Sequence, residues 1–182
     1  MARLRYLSKD NLAIEDRDLD RPNNNLYRVL ANSPKCCRIA QAMAQFVFRE
    51  TKLDGRVKEL SILTIAYLTR SAYMWSHHIV IARDVGIGDD DLRQLVDYLE
   101  GRDRRLEGRL SIVVDSARDM TQGLSISDKN FSTLRVFFDD EEIVDLVTIV
   151  AHYNGVARLL ATLEVDVEED FLQALNRFPL PA

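Results

Sequence analysis

The stretch that decides the fold is residues 54–95, which read DGRVKELSILTIAYLTRSAYMWSHHIVIARDVGIGDDDLRQL. After Asp54, its first half is a long apolar run with a single carboxylate, Glu59, and its second half begins at Ser71. Asp and Ser are residue types that cap helix N-termini, and Gly86 suits the left-handed conformation that ends many helices. The stretch therefore predicts two consecutive helices, over about 54–69 and 71–85, with a third beginning soon after.

Helix start and stop signals recur along the rest of the chain, whereas the alternation typical of strands is nearly absent. Further helices are predicted over about 34–50, 89–99, 106–120 and 127–136, and the last two begin at capping boxes formed by Asp139 with Glu142 and by Asp166 with Glu169. The expected fold class is all-α, with about eight helices in a single domain over 26–182. Residues 1–25 are expected to form an N-terminal arm that could pack across a neighbouring subunit.

The amino-acid composition of the chain argues against some classes of binding partner. The chain has 182 residues, 47% of them hydrophobic, which suffices for one domain with a substantial core. Its net charge of -5 argues against a nucleic-acid partner, because binding to phosphates requires a basic surface. No run reaches the ~18 apolar residues that span a bilayer, and the N-terminus is too charged for a signal peptide. We therefore expect a cytoplasmic protein with no membrane partner.

The two cysteines, Cys36 and Cys37, are adjacent. Neighbouring residues can form a disulfide only through a strained ring, so free thiols in a reducing compartment are expected.

The helix that follows Ser71 carries several side chains that could take part in catalysis. Ser71, Met74, Trp75 and His78 share one face by their three- and four-residue spacing, and Glu59 could meet that face from the preceding helix. A carboxylate that holds an imidazole fixes its tautomer and makes it a stronger base, which suits proton transfer near neutral pH. Two structural alternatives remain open at this point: Glu59 could pair with Arg56, and the histidine could bond a backbone carbonyl in the core.

Residues 54–95 resemble the core segment of the carboxymuconolactone decarboxylase and alkylhydroperoxidase D-like family. That family keeps a Glu, a Cys-x-x-Cys pair and a His in the order E-x11-C-x2-C-x3-H, and Glu59, Ser71, Met74 and His78 occupy those positions here. The resemblance implies an all-α, oligomeric protein, either a dimer, a trimer or a hexamer built from them. It places this chain in a branch that lacks both redox cysteines.

The missing cysteines bear on the reaction that the resemblance implies. In the peroxidase branch, a helix N-terminus stabilises the thiolate while the Glu and the His relay a proton. Ser71 and Met74 can neither ionise readily nor form a disulfide, so peroxidase chemistry is the least favoured function. The resemblance to the decarboxylase branch instead implies a lyase-like enzyme with a Glu/His acid–base pair. Its substrate would be a small, anionic organic molecule, and no cofactor or metal is expected.

The expected site residues follow from the same segment. The catalytic candidates are Glu59, His78, Tyr73 and Ser71, with either Tyr73 or Ser71 contacting an oxyanion. The substrate-binding candidates are Met74, Trp75 and His77. A competing expectation for His77 is that it faces outward or lies at a subunit contact, because it is rotated by about 100° from its neighbour. The alternative to an enzyme is a catalytically silent binding or stress-associated protein, whose pocket would be sealed.

Two further expectations concern residues outside the motif. Arg70 and Arg83 are candidates to bind a substrate carboxylate, only because they are near in sequence. Residues 143–146 echo residues 57–60, so Asp145 could correspond to Glu59 in an internal repeat, or the two helices could simply be alike.

Overall fold

The computed structural model describes residues 2–103 and 105–181. Over these residues the chain forms nine α-helices and no β-strand, so the predicted all-α class is confirmed. The helices are α1 (Asn25–Leu30), α2 (Pro34–Gln45), α3 (Gly55–Leu68), α4 (Ala72–Asp84), α5 (Asp89–Leu99), α6 (Gly108–Gln122), α7 (Asp128–Phe137), α8 (Asp140–Leu163) and α9 (Glu169–Arg177). A 3-10 turn (Ile14–Leu19) precedes them, and a π-helical turn (Phe46–Glu50) extends α2.

The predicted caps of the central helices are present. Asp54 accepts hydrogen bonds from the backbone N–H groups of Arg56 and Val57, and Ser71 accepts one from Met74. Asp139 and Glu142 form the expected reciprocal capping box. Local sequence therefore determined where these helices begin, because each cap satisfies backbone donors that the helix itself leaves free.

The predicted start of the last helix is wrong. Glu168, not Asp166, is the N-cap residue of α9. The Asp166 carboxylate instead accepts hydrogen bonds from the Tyr6 hydroxyl, at 3.0 Å, and from the backbone N–H of Ala2, at 3.1 Å. The N-terminal arm therefore binds the carboxylate that the sequence pattern predicted as the cap of the last helix.

Helix α3 lies at the centre of the fold. It packs against α4, α6 and α8, and α9 in turn packs on α4. Ile62, Leu63 and Ile65 are completely buried, which explains why α3 has no polar face. Glu59 is therefore a carboxylate in the interior, and such a group requires a hydrogen-bonding partner.

The N-terminal arm packs on its own chain. Leu19 is buried with Leu30 and Cys37 in a second, smaller hydrophobic cluster. The backbone N–H of Arg3 donates to the carbonyl of Leu163 at 2.9 Å. These contacts place the arm against α1, α2 and the end of α8, and its packing on a neighbouring subunit stays a prediction.

Helix α8 meets the length and composition criteria for a membrane-spanning helix, whereas the sequence pattern predicted no segment that does so. Half of its most apolar window is buried inside the protein. It packs against α3 and α6, and a core helix passes the same test.

Substitution by alanine is expected to change protein stability in opposite directions at two glycines. A Cβ at Gly55 would lie 2.5 Å from Cγ1 of Val85, whereas a Cβ at Gly155, within α8, would meet nothing within 4 Å. We expect Gly55→Ala to lower the free energy of unfolding by about 1–3 kcal/mol, because the stiff Val85 cannot move aside easily. Gly155→Ala should raise it by about 0.5–1 kcal/mol through helix propensity. Urea denaturation of both variants measures the contrast, and two changes of the same sign would contradict it.

Candidate functional site

Glu59 and His78 are in direct contact inside the protein. The distance from Nδ1 of His78 to Oε2 of Glu59 is 2.7 Å. Both residues are buried, Glu59 on α3 and His78 on α4. The carboxylate that the apolar helix buries is therefore paired with the imidazole of the next helix.

Both structural alternatives for this pair are wrong. The Arg56 guanidinium donates instead to Asp91, at 2.8 Å, and to the carbonyl of Gly86, at 2.6 Å. His78 bonds the carboxylate rather than a backbone carbonyl.

The contact fixes the protonation of the ring. A carboxylate only accepts hydrogen bonds, so Nδ1 of His78 must carry the hydrogen. In the neutral ring the lone pair then lies on Nε2, which makes no hydrogen bond with any described residue. The group left to act on another molecule is therefore Nε2.

His78 lines a cavity of about 590 Å³ enclosed by α1, α2, α4 and α8. This volume lies in the usual range of small-molecule sites, about 300–1,000 Å³. Most of the lining is apolar, and it includes Ile39 and Phe48, whose side chains are exposed. The cavity therefore extends from the buried imidazole to the protein surface.

A second polar cluster lies along one wall of the cavity, and its centre is Glu168. One carboxylate oxygen of Glu168 accepts hydrogen bonds from the Tyr73 hydroxyl, at 2.9 Å, and from the backbone N–H of Asn25, at 2.5 Å. The other oxygen lies 2.7 Å from Nε2 of His77. Sequence reasoning missed Glu168, since it lies 91 residues from His77 and no local pattern links the two.

These contacts decide the charge of Glu168. Burial raises the pKa of its carboxyl, but the hydrogen bonds from His77 and from the backbone of Asn25 outweigh burial and lower it below its ordinary value. Glu168 is accordingly a carboxylate at neutral pH.

The expectation that His77 faces outward is wrong. Its ring is buried and stacks between Tyr73 and Phe171, with centroid distances of 4.2 and 3.6 Å. Phe171 belongs to α9, which covers this face of α4. His77 does line the cavity, as a substrate-binding role requires.

Only some of the other predicted site residues line the cavity. Met74 and Tyr73 line the cavity, whereas Ser71 and Trp75 do not. Ser71 caps α4, and the indole N–H of Trp75 donates to the carbonyl of Phe178 at 2.7 Å. The roles expected for these two residues, an oxyanion contact and substrate binding, therefore lack access to the cavity. Trp75 anchors the C-terminal end of the chain on α4.

Tyr73 is poorly placed to bind an oxyanion. Its hydroxyl has one hydrogen, which it directs at Glu168, and it accepts from the backbone N–H of Leu26 at 3.1 Å. Burial raises the pKa of Tyr73, and the Glu168 charge adds to the effect. The phenol is neutral and already bonded.

Tyr153 is the hydroxyl that sequence reasoning did not place in the site. Its ring meets that of His78 edge-on, with centroids 5.1 Å apart, and it lines the cavity. Its hydroxyl makes no hydrogen bond with the residues that the structure describes. Burial and the Glu59 charge raise its pKa, so the phenol keeps its proton and can donate it in a hydrogen bond.

The neighbouring His152 also lines the cavity. Burial lowers its pKa, so its ring is neutral at pH 7. Asp145 lies about two turns earlier on α8 than His152. Its carboxylate accepts a hydrogen bond from the Thr51 hydroxyl at 2.7 Å. Asp145 therefore holds the loop before α3 and does not repeat the contact between Glu59 and His78.

Neither arginine near the motif reaches the cavity. Arg83 is paired with Asp89, and Arg70 is exposed at a backbone position with a φ of 53°. Among the described lining residues there is no Asp, Glu, Lys or Arg. A fixed cation for a substrate carboxylate is therefore not provided by the residues that the sequence suggested.

Both cysteines are free. Cys36 is exposed and belongs to the cavity lining, whereas Cys37 is buried against the N-terminal arm, where burial raises the pKa of its thiol.

Residues 35–99 match the model of the carboxymuconolactone decarboxylase family. This segment is similar to that family. The match contains Glu59, Ser71, Met74 and His78, so it confirms the resemblance that the motif carried. No curated protein matches the chain in sequence.

Solved structures of similar fold extend the comparison to nearly the whole chain. An alkylhydroperoxidase AhpD core protein from Ralstonia eutropha JMP134, an uncharacterized peroxidase-related protein, superposes with a TM-score of 0.78 at 19% identity, over 93% of this chain and 94% of that one. A peroxidase-related protein from Silicibacter sp. TM1040 gives 0.68 at 18% identity, over 79% and 76%. A protein of unknown function from Agrobacterium tumefaciens gives 0.67 at 19%, over 76% and 94%. At these identities the likeness shows the AhpD-like fold and not the reaction.

Proposed function

We propose that this protein is an acid–base enzyme that moves a proton on a small organic acid, without thiol redox chemistry. The observation that carries the proposal is the 2.7 Å contact between Glu59 and His78, which leaves Nε2 of the imidazole free beside a cavity of about 590 Å³. A buried base held by a carboxylate, next to space for a ligand, is an arrangement suited to general acid–base catalysis.

The specific reaction that we propose is a decarboxylation, as the family name suggests. The bond between the substrate carbon and its carboxylate breaks, CO2 leaves, and the electron pair stays behind as an enolate. Protonated His78 then delivers its Nε2 proton to that carbon, and the Tyr153 hydroxyl donates a hydrogen bond to the enolate oxygen. A proton from solvent restores the imidazolium, which the Glu59 carboxylate stabilises.

The shape of the cavity favours an enzyme over the catalytically silent alternative. A silent protein was expected to have a pocket sealed by Met74 and Trp75. Here Trp75 lies outside the lining, and the lining that includes His78 also includes exposed side chains of α2 and the π-helical turn.

Thiol-dependent peroxide reduction lacks the residues it requires. Ser71 and Met74 stand at the start of α4, where the peroxidase branch has its cysteines. Cys36 and Cys37 lie on α2 and cannot form the missing pair at that position.

The proposal includes a cytoplasmic, homo-oligomeric protein. The free thiols suit a reducing compartment. Exposed apolar side chains, among them Ile39, Val136 and Val144, are available for contacts between copies.

A screen of 3-oxo acids and unsaturated lactone acids would test the reaction, read as CO2 release and as incorporation of solvent deuterium into the product. We expect His78→Gln to lower turnover at least ~100-fold, since loss of a general acid or base costs about that much. The Cys36→Ser/Cys37→Ser double variant tests dependence on thiols. Cys36 lies in the cavity lining, but the exchange removes only the thiol chemistry and should keep the activity of the parent. Full activity in His78→Gln, or activity that depends on the cysteines, would overturn the proposal.

A further inference from the structure

The described lining of the cavity beside His78 contains no Asp, Glu, Lys or Arg. Inside it, the cationic partner that the mechanism offers an anion is the His78 imidazolium, which is already paired with Glu59. A second anionic group of the ligand would lose its hydration there, so it is expected to lie outside the cavity.

A second, more open cleft adjoins the cavity and has the opposite character. Its volume is about 760 Å³, and Tyr27, Ala44 and Phe48 line both spaces. We call this cleft the arginine groove. The rest of its lining consists of Arg21, Arg38, Gln41, Ala42, Gln45 and Arg49, with no carboxylate among the described lining residues.

The three arginines of the groove are not equivalent. Arg38 is neutralised, because it is paired with both Asp16 and Asp18. Arg21 is held by two backbone carbonyls, those of Asp18 at 2.9 Å and Asp20 at 2.8 Å, and forms no ion pair within the described chain. Its position is therefore fixed, and its charge interacts with the nearby Asp18 carboxylate without direct contact between the two side chains.

Arg49 is the most available of the three. It is exposed, and it makes no hydrogen bond or ion pair with the residues that the structure describes. It lies in the π-helical turn directly after Phe48, whose side chain forms part of the wall common to the two spaces. Single π-helical turns are frequent at functional sites.

We propose that the ligand of this site is an amphipathic anion: its apolar body fills the cavity beside His78, and its carboxylate or phosphate lies in the arginine groove at Arg49 and Arg21. The inference rests on the proposed function for the role of His78, and it adds the class of substrate. The anionic group in the groove orients the molecule and does not react. A substrate that also loses CO2 beside His78 would carry that carboxylate as a separate group.

Three probes with the same eight-carbon chain separate the contributions of body and charge: octanoate, octyl phosphate and octan-1-ol, titrated by calorimetry. We expect both anions to bind about tenfold more tightly than the alcohol, a difference of about 1.4 kcal/mol. The preference between carboxylate and phosphate then identifies the head group. Equal affinity for the alcohol and the anions, or no binding of any probe at 1 mM, would overturn the inference.

Two variants locate the two ends of the ligand. Arg49→Gln should weaken octanoate binding about tenfold and leave octan-1-ol unchanged, whereas Arg70→Gln, a matched control at an exposed arginine outside both linings, should change neither. Gly155→Leu should abolish binding of all three, because Gly155 lines the cavity and the added side chain enters open space without a backbone clash. Unchanged octanoate binding in Arg49→Gln or in Gly155→Leu would contradict the proposed position.

The failure of this inference and the failure of the proposed function are distinguishable. If the anions show no preference while His78→Gln loses turnover, only the position of the charge is refuted. If the probes behave as expected while His78→Gln retains turnover, the ligand class stands and the acid–base role falls.

Discussion

Glu59→Gln is expected to lower turnover by about 100-fold while the protein stays folded. The amide oxygen of Gln can still accept the hydrogen bond from Nδ1 of His78, so the ring keeps its tautomer and the interior keeps its packing. What is lost is the negative charge that stabilises the imidazolium in the proton-transfer step. The measurement is kcat on the substrate that the screen identifies, with circular dichroism as the check on folding.

Asp145→Asn is the matched control for this variant. Asp145 is also a buried carboxylate on a long apolar helix, but its partners are the Thr51 hydroxyl and the backbone N–H of Lys52 rather than a residue of the cavity. The control should lose stability and keep kcat. If Glu59→Gln retained kcat, or if both variants lost it equally, the contact between Glu59 and His78 would be structural and the acid–base role would be refuted.

The variant with the largest expected effect on stability is Glu168→Ala. It removes the acceptor of the His77 ring and of the backbone N–H of Asn25, and it leaves the Tyr73 hydroxyl, as a donor, with only the longer contact to Oδ1 of Asn24, at 3.3 Å. Each unsatisfied donor costs about 1–3 kcal/mol where it stays buried, and water entering at the rim of α9 recovers part of this. We expect a loss of about 3 kcal/mol, and for a chain of this size a Tm lowered by roughly 6–12 °C.

Glu169→Ala is the control, since Glu169 is adjacent, exposed and placed in the first turn of α9. It should cost less than about 1 kcal/mol, the contribution of an acidic side chain near a helix N-terminus. A loss in Glu168→Ala no greater than that in the control would show that the cluster around Glu168 does not hold α9 on α4.

The same residue gives a pH dependence with a defined sign. Because the pKa of Glu168 is lower in the folded protein, its charged form stabilises the fold at pH values above the ordinary Glu range. That contribution disappears as the pH falls through the folded-state pKa. The difference in unfolding free energy between the parent and Glu168→Gln should therefore be full at pH 7 and should shrink on acidification below about pH 4.3.

Much of the fold was predictable from short stretches of sequence. Asp54, Ser71 and the Asp139 capping box begin their helices as predicted, because a cap acts on backbone groups only two or three residues away. The contact between Glu59 and His78 was predictable for a related reason. The two residues lie on consecutive helices joined by a short turn, so few arrangements of the pair were possible.

The sequence by itself determined the all-α class, the position of the capped helices and the candidate pair of an acid and an imidazole. Only the tertiary structure decided which polar groups remain free for chemistry. Glu168 forms hydrogen bonds with Tyr73 and His77, although it lies more than 90 residues away in sequence. Tyr153, by contrast, lines the cavity with a hydroxyl that has no hydrogen-bond partner among the described residues. The physical reason is that a side chain's partners depend on which helices pack together, and contacts between distant segments leave no local pattern in the sequence.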